Sequence, residues 1–359
     1  MKKIDWYILK KFLSTFFFSL ILLTLISTVI DMSEKADDFV KSGLTAKQIF
    51  LQYYTGFIPH IVAMLFPLFV FISVIFFTSK MATRSEFIAI LSSGVSLSRT
   101  LRPYFIGGLF LGVMLWYGNA YIIPKADEKR TVFEAKYTKV IMPVSSGTGI
   151  YMRTDSFSYA GMRYYDTATK AGGTFFMEKV LGNKVVYNLR ADNILWDTAK
   201  RKWKLSSVVE RYVNPKGEET KFLIESYRKL PFEPYDLKKD EYMQARLTTP
   251  ELKRRIEKER LRGSETVKEL EMERAHRDST PVAVVLLTMI GAILACRKIR
   301  GGSGVHLAVG IIICAVFILA DRFSTIFSTK GDLNPYVAAW IPNVIFGVLT
   351  YYLYKKAPK

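Results

Sequence analysis

Residues 83–97 read Thr83-Arg84-Ser85-Glu86-Phe87-Ile88-Ala89-Ile90-Leu91-Ser92-Ser93-Gly94-Val95-Ser96-Leu97 and lie between two apolar runs of membrane length. Within this stretch, apolar residues recur with the period of a helix rather than that of a strand. Thr83 and Glu86 have the spacing of a capping box, in which two side chains satisfy free N–H groups at a helix start. Gly94 stands where a left-handed residue ends many helices. We therefore expect a short amphipathic helix within residues 83–97, between two membrane spans.

Basic residues flank this expected helix on both sides, with Lys80 and Arg84 near its start and Arg99 and Arg102 beyond its end. A capped amphipathic helix that protrudes between two spans offers a docking surface for a partner protein. Arg84 has two interpretations that the sequence leaves open, a contact to such a partner or a determinant of membrane topology.

Six apolar runs are long enough, or nearly so, to cross a hydrocarbon core of roughly 30 Å. A signal peptide is the rival interpretation of the first run. That run is longer than the apolar part of a signal peptide, however, and acids rather than a cleavage site follow it. Gly108 and Gly112 in the third run allow close helix approach. The predicted spans are 12–30, 57–79, 101–123, 281–296, 305–327 and 336–354.

Lysines and arginines concentrate in short segments that fall on one side of a six-span arrangement, as the positive-inside rule requires of cytoplasmic segments. These segments are the N-terminal lysines, the loops 80–102 and 297–303, and the C-terminal Lys355-Lys356. We therefore predict a multi-pass membrane protein with cytoplasmic N- and C-termini. Segments 32–56, 124–278 and 328–335 then lie on the opposite side.

The composition argues against several classes of function. The net charge is +19, but the cations lie at the ends of apolar runs or among acids, so we expect no nucleic-acid partner. Cys296 and Cys314 both lie in apolar runs and predict no disulfide framework or metal site. The sequence contains no phosphate-binding Gly-x-x-x-x-Gly-Lys-Ser/Thr loop and no nucleophile elbow or His-Glu-x-x-His motif. We expect no catalysis, ATP hydrolysis, cofactor or metal on this chain.

Residues 140–246 alternate short β-rich runs with turn signals, which predicts an antiparallel sandwich or open barrel. The runs begin at Gly149, Ser156, Thr174, Lys184, Lys202 and Lys221. The turn signals are Gly172-Gly173, Gly182-Asn183, 197–200 and 214–217. The edges of such a sheet can accept a strand of another protein. A charged helix is predicted over 248–278, with an interruption near Gly263-Ser264.

Several motifs together identify a relationship to a known family. They are Ile4-Asp5-Trp6-Tyr7-Ile8-Leu9-Lys10, Arg84-Ser85-Glu86, Ser93-Gly94, Pro281 and the stretch from Asn334 to Asn343. With three spans on each side of a large β segment, they resemble the lipopolysaccharide-export permeases, the F- and G-type membrane subunits (LptF/LptG) of Gram-negative bacteria. The resemblance covers essentially the whole chain and is at the level of topology in the β segment.

The resemblance implies an α-helical membrane protein with six transmembrane helices and an all-β, jellyroll-like periplasmic domain inserted between helices 3 and 4. It also implies partners. In the family, a homologous permease subunit forms the second half of the transporter, and a cytoplasmic ABC ATPase dimer drives it. Lipopolysaccharide leaves the inner membrane between the two halves and passes along the β domain to a bridge of single-span and periplasmic jellyroll proteins.

The resemblance also assigns roles in coupling to the ATPase. Glu86 matches the glutamate of the helix that engages the ATPase, and Arg84 and Gly94 belong to the same element. A simpler role for Glu86 as a helix cap stays open, and the two roles are compatible because a cap residue can still present its carboxylate.

Candidate lipid-binding residues come from two patterns. Family members carry basic residues near the outer end of the first span; here Lys35 and Lys41 stand among four acids, so solvated charge is an equally good interpretation. Asp321 and Arg322 lie within an apolar run, where ionisable residues are unfavourable and usually face a cavity or a partner. A role of Phe66 and Phe69 in contacting acyl chains competes with ordinary packing.

We therefore divide the chain into residues 1–123, with the coupling helix 83–97, a periplasmic β domain 124–278 with a helical return 248–278, and residues 279–359. The expected function is that of an ABC-transporter permease subunit that extracts lipopolysaccharide from the inner membrane, powered by a separate ATPase. The alternative is a membrane-anchored envelope scaffold protein whose β domain recruits partners. The sequence leaves open whether the chain is F- or G-type and whether it pairs with itself.

Overall fold

The computed structural model describes residues 3–138, 149–166, 169–214, 217–237, 243–264, 266–296 and 302–357. Most of the predicted 297–303 loop lies outside these residues. The chain forms two compact units. Unit 1 comprises Met1–Lys139, Gln244–Leu252 and Lys268–Lys359, and unit 2 comprises Val140–Met243 and Lys253–Val267. The β segment therefore forms a unit of its own, while the membrane-type segments before and after it join in the other.

The helices follow the chain in the order α1 (Lys3–Glu34), α2 (Ala36–Ser42), α3 (Ala46–Ile49), α4 (Thr55–Thr83), α5 (Glu86–Ser92), α6 (Leu97–Tyr117), α7 (Ile123–Tyr137), α8 (Met243–Arg246), α9 (Thr249–Arg262), α10 (Val267–Ala295), α11 (Gly302–Thr329) and α12 (Pro335–Lys356). Two π-helical segments, Phe50–Tyr54 and Gly118–Ile122, join α3 to α4 and α6 to α7.

Within the described residues, six helical segments are long and apolar enough to cross a membrane, which confirms the predicted number. They are Lys3–Glu34, Ala46–Thr83, Leu97–Tyr137, Val267–Ala295, Gly304–Thr329 and Pro335–Lys356. The segments extend past the predicted spans because hydropathy marks the hydrocarbon region, whereas the helix continues wherever polar side chains support it. In α10, for example, Arg277 pairs with Glu273 and Arg274 with Asp278, each four residues apart.

The core of unit 1 depends on close helix approach at glycines. A Cβ on Gly108 would lie 3.0 Å from the hydroxyl of Thr288, and one on Gly112 would lie 2.9 Å from the carbonyl oxygen of Pro281. Both contacts join α6 to α10, as expected for small residues at a helix interface. The predicted packing role of these two glycines is therefore confirmed.

The strands of unit 2 are β1 (Ile150–Arg153), β2 (Ser158–Met162), β3 (Tyr164–Asp166), β4 (Ala171–Leu181), β5 (Lys184–Asp197), β6 (Lys202–Asn214) and β7 (Gly217–Arg228). They form one antiparallel sheet in the order β1-β2-β4-β5-β6-β7, and β3 pairs with β4. This order is a meander with a side branch, so it does not confirm a jellyroll topology. The predicted turn at Gly172-Gly173 is wrong: both glycines lie inside β4 and pair with β3 and β5.

A line of irregular residues crosses the sheet. The register places Thr174, Asp192, Ser207 and Ile224 opposite one another on β4, β5, β6 and β7. Thr174 and Ser207 adopt φ values of +52° and +55°, which side-chain-bearing residues rarely do. Such residues bend strands and disturb the ladder locally, as β-bulges do. We call these four residues the bend row.

The inward-facing positions change phase at the bend row. In β5 the buried residues are Leu189 and Ala191 and then Ile194, a step of three instead of two, and in β6 Leu205 is followed by Val208. An extra residue at the same level in β5 and β6 keeps the cross-strand register while the sheet folds over. The sheet therefore consists of two halves that enclose one core.

Half A contains β1, β2 and residues 175–181, 184–191, 208–214 and 217–223. Half B contains β3 and residues 171–173, 193–197, 202–206 and 225–228. Phe175 of half A and Trp203 of half B both contact Phe232, which is fully buried after β7. The indole N–H of Trp203 donates to the carbonyl oxygen of Phe232 over 2.8 Å. This facing arrangement is closest to the predicted sandwich.

The charged helical segment has the predicted start and interruption. The backbone N–H and hydroxyl of Thr248 donate to Oε2 of Glu251 over 2.9 and 2.6 Å, which stabilises the first turn of α9. Gly263 adopts φ +68° just after α9, so the helix ends where the sequence predicts.

Candidate docking helix and lipid-contact residues

The predicted helix within residues 83–97 is shorter than expected and starts differently. Thr83 is the last residue of α4, and its hydroxyl donates to the carbonyl oxygen of Ser79 over 2.9 Å. Ser85 then adopts φ +60°, and Glu86 begins α5. The predicted Thr83–Glu86 capping box is therefore wrong, because α4 continues through Thr83 and the chain turns only at Ser85.

One side of α5 is anchored in the core. Phe87 is fully buried in a cluster with Ile8 and Phe12 of α1, and Leu91 packs against the same cluster. On the opposite side, Ile88 is 45% exposed. The amphipathic prediction for this stretch is confirmed, and α5 presents an exposed face while Phe87 holds it in place.

Glu86 lies at the border between these two faces. The Tyr7 hydroxyl of α1 donates to Oε2 of Glu86 over 3.3 Å, and Arg84 Nη1 lies 3.9 Å from Oε1. The Arg84 side chain is mostly exposed. Gly94 adopts φ +83° two residues after the end of α5, and its amide donates to the carbonyl oxygen of Leu91. Glu86 and Arg84 thus lie together at the exposed start of α5, whereas Gly94 lies beyond the other end of the helix and contributes its backbone conformation.

A buried polar cluster joins α1, α4 and α7, and it includes one of the lipid-binding candidates. Lys35, just after α1, pairs with Asp31 at 3.2 Å and with Glu134 at 2.8 Å. The Lys35 ammonium also bonds to the hydroxyl of Tyr53, which donates to Asp31 over 2.9 Å. Tyr53 belongs to a π-helical segment. Segments of this kind are frequent at functional sites. Lys35 therefore serves the packing of unit 1.

The cluster continues along α7. Arg130 bonds to Asp127 at 3.2 Å and to Glu134 at 3.1 Å, and Nδ1 of His60 lies 2.8 Å from Asp127. Beneath it, a Cβ on Gly56 would lie 2.4 Å from the carbonyl oxygen of Ala126. The two helix backbones of α4 and α7 are therefore in direct contact. A buried ion network of this kind needs all its members, because a charge left alone there is strongly destabilising.

The remaining lipid-binding candidates fall into different surroundings. Lys41 lies exposed in the last turn of α2. Phe66 and Phe69 are buried in the helix core, where the ring of Phe66 contacts that of Phe16 with centroids 5.0 Å apart. This environment favours the packing interpretation of both phenylalanines.

Asp321 and Arg322 are neighbours in sequence but have different environments. Oδ1 of Asp321 lies 3.5 Å from Nε2 of His276 on α10, while Arg322 is exposed. The Thr325 hydroxyl lies at the same distance from His276. Asp321 therefore contributes to contact between α10 and α11, and Arg322 is the member of the pair that is accessible to a ligand.

Two membrane-type helices expose continuous apolar stripes. The stripe on α1 contains Phe18, Ile21, Leu25 and Val29, each at least 61% exposed, at steps of three and four residues. The stripe on α11 contains Ile312, Val316, Leu319, Phe323 and Phe327 at similar steps. Each stripe suits contact with lipid or with another apolar helix.

The sequence model of one family, described as "Lipopolysaccharide export system permease LptF/LptG", matches residues 6–356. The chain belongs to this family. Comparison with the curated proteins gives no match. This lipopolysaccharide export permease is accordingly a multi-pass inner-membrane protein and a component of a transporter.

Sequence reasoning missed several polar groups of the permease. It did not single out Asp127, Arg130 and Glu134, although their spacing of three and four residues places them on one helical face. That spacing could have indicated their pairing. The contact of Tyr7 with Glu86 joins residues 79 positions apart, and nothing local in the sequence signals it.

Proposed function

We propose that this permease subunit is half of an ABC transporter that extracts lipopolysaccharide from the inner membrane, and that a cytoplasmic ATPase dimer docks on α5. The observation that carries the proposal is the Glu86–Arg84 pair at the exposed start of a helix that Phe87 fixes in the core. A docking helix of this kind can transmit motion only if it is anchored, and Phe87 connects it to α1, α4 and α6 through one core.

The proposed orientation places α5 and both termini in the cytoplasm and unit 2 in the periplasm. Exposed basic side chains at one end of the helices support it: Lys10 and Lys11 of α1, Lys80 of α4, and Lys355 and Lys356 of α12. Such a bias is the usual mark of cytoplasmic ends.

The exposed stripes on α1 and α11 support a second half-transporter. Either stripe would serve as the surface against a homologous permease subunit, with lipopolysaccharide held between the two halves. Arg322, exposed on α11 beside Phe323, is the side chain we propose to meet a lipid phosphate, since a guanidinium binds phosphate through two hydrogen bonds.

Strand β7 supports the proposed hand-over to a periplasmic bridge. It stands at the end of the sheet order, and Phe222 and Ile224 are 76% and 90% exposed. A strand of a bridging β protein can extend such an edge. The scaffold alternative would use the same edge, so the distinction between the two rests on α5 and its ATPase.

Co-purification of an ABC ATPase with the full chain in mild detergent tests the proposal. Glu86→Lys should abolish the co-purification, while Glu128→Lys, a charge reversal of an exposed acid on α7, should leave it intact. A photoprobe in place of Arg322 should crosslink to lipopolysaccharide. Absence of an ATPase from the wild-type preparation, or crosslinks to phospholipid alone, would count against the transporter assignment.

A further inference from the structure

A buried carboxylate lies inside unit 2 where the sheet otherwise encloses apolar side chains. Glu210 of β6 is an inward-facing residue of half A, and its side chain is almost fully buried. The hydroxyls of Tyr187 and Tyr212 donate to it over 3.4 and 3.2 Å. Arg228 of β7 supplies the opposite charge. Burial is unfavourable for an ionised carboxylate, so these three donors are what maintain it there.

The partner of Glu210 comes from the other half of the sheet. In the β6–β7 register Glu210 stands opposite Lys221, whereas Arg228 stands opposite Trp203 and lies seven positions further along β7. In a flat sheet that separation would be roughly 23 Å. The two side chains meet because the bend row folds half B over half A. Their ion pair therefore crosses the interior from one half of the sheet to the other, although β6 and β7 are neighbouring strands.

The pair stands at the margin of the core beside the edge strand. On one side of it lies the apolar interior, with Leu189 and Val208 buried in half A. On the other side is β7, where Leu223 opposite Val208 is 41% exposed although it faces the same interior. Arg228 is itself partly exposed, so its pairing is accessible from solvent.

We propose that the Glu210–Arg228 pair is a clasp that closes the interior of the bent sheet along β7 and opens to admit an acyl chain of a phosphorylated lipid. On opening, Arg228 exchanges the Glu210 carboxylate for a phosphate of the lipid, and water reaches Glu210. This inference rests on the proposed function, because it assigns a lipid to unit 2. A buried ion pair is well suited to such a role: it contributes little to net stability compared with apolar packing, yet it fixes one arrangement.

Other ion pairs of the same sheet provide matched controls. Arg211 and Glu218 also join β6 to β7, but both lie in half A and both are about half exposed. Loss of that pair removes a charge contact between the same strands without affecting the crossing between halves.

The test uses the full chain in detergent with a photocrosslinking residue at Leu223, and the probes are lipid A and phosphatidylglycerol. Glu210→Gln should raise the yield of acyl-chain crosslinks about tenfold, the change expected when one charge-assisted hydrogen bond is lost. Arg211→Gln should leave the yield unchanged. Thermal unfolding of each variant verifies that the sheet is intact.

A second pair of variants keeps the test decisive if Glu210→Gln fails to fold. In a background with both native cysteines replaced, the Glu210→Cys, Arg228→Cys double variant joined by a bis-maleimide should keep the clasp closed and suppress crosslinking. The same protein without the linker should give acyl-chain crosslinks again. Equal yields in linked and unlinked protein overturn the clasp. If the linker changes the crosslink yield with phosphatidylglycerol but not with lipid A, the result supports the clasp and contradicts the lipopolysaccharide assignment.

Discussion

The phenolic hydroxyl of Tyr7 donates a hydrogen bond to Oε2 of Glu86 and so connects the N-terminal part of α1 to the first residue of α5. Among the described residues, Arg84 is the charged side chain that pairs with the same carboxylate, at 3.9 Å. Tyr7 thus fixes where the Glu86 carboxylate points, and it connects α5 to the helix that carries one of the exposed stripes.

Tyr7→Phe should weaken ATPase binding by about two- to fivefold, since one neutral-donor hydrogen bond contributes about 0.5–1 kcal/mol. A double-mutant cycle with Glu86→Gln separates positioning from bulk packing: the two effects should be non-additive. Tyr351→Phe on exposed α12 is the control. Additive effects would mean that Tyr7 acts independently of Glu86.

Substitution of Phe87 should mainly lower stability, whereas substitution of Ile88 should mainly weaken ATPase binding. Phe87 is fully buried, so Phe87→Ala should lower the stability of unit 1 by about 3–5 kcal/mol. Ile88→Ala removes an exposed side chain and should change stability by less than about 0.5 kcal/mol while weakening ATPase binding. Thermal unfolding and co-purification measure the two effects. A stable Phe87→Ala protein would contradict the anchoring role.

Gly56 should tolerate no side chain. A Cβ there would lie 2.4 Å from the carbonyl oxygen of Ala126 and 2.8 Å from the amide nitrogen of Arg130, and neither backbone atom can move alone. Gly56→Ala should therefore separate α4 from α7 and lower the unfolding temperature markedly. Gly347→Ala is the matched control, because nothing lies within 4 Å of its Cβ position. It should be neutral or slightly stabilising, as alanine favours helices.

The membrane architecture could be predicted from the sequence because hydropathy and charge bias act locally. The number of spans, the end of α9 near Gly263 and the packing glycines Gly108 and Gly112 all follow from residue type and spacing. The helix that contains Phe87 was predicted, but the predicted start at Thr83 was wrong. A capping box depends on where the chain turns, and Ser85 makes that turn.

The sheet was predicted only in part, because its shape depends on pairing between distant strands. Gly172-Gly173 has the composition of a turn but lies in β4, where β3 packs on it. The bend row is not visible in the sequence, since threonine and serine rarely adopt the positive φ values that Thr174 and Ser207 have in the sheet. The crossing from Glu210 to Arg228 follows from that bend and was missed for the same reason.

Asp236 should make unit 2 sensitive to acid. Burial alone raises the pKa of its carboxyl, but hydrogen bonds from Lys258 and the backbone of Glu233, with the charge of Arg262, hold the pKa below its usual value. A lowered pKa means that the ionised form stabilises the fold. This contribution is complete above the unfolded pKa near 3.8 and is lost as the pH falls below it.

Asp236→Asn should therefore lower stability at pH 7 by about 1.5–3 kcal/mol, the range for hydrogen bonds to charged groups. The difference from wild type should stay constant down to about pH 5 and shrink below pH 4. Thermal unfolding across this range measures it, with Asp192→Asn, an exposed acid of the bend row, as the control. A difference that grows on acidification would reverse the sign argued for Asp236.

Alanine substitutions of Lys35 and Lys41 should distinguish a lysine that stabilises the fold from one that is free to contact lipid. Lys35 pairs with Asp31 and Glu134 inside the polar cluster, so Lys35→Ala leaves Asp31 without its cation and Glu134 with Arg130 alone. The expected loss of stability is about 3–5 kcal/mol, as for a broken buried pair. Lys41 is exposed, and Lys41→Ala should change stability by less than about 0.5 kcal/mol. Thermal unfolding in detergent gives both values, and lipopolysaccharide crosslinking then measures binding on the stable variant alone. Reduced crosslinking in Lys41→Ala supports lipid contact at the end of α2. If Lys35→Ala instead keeps full stability and loses crosslinking, the polar cluster binds lipid and does not serve to stabilise the fold.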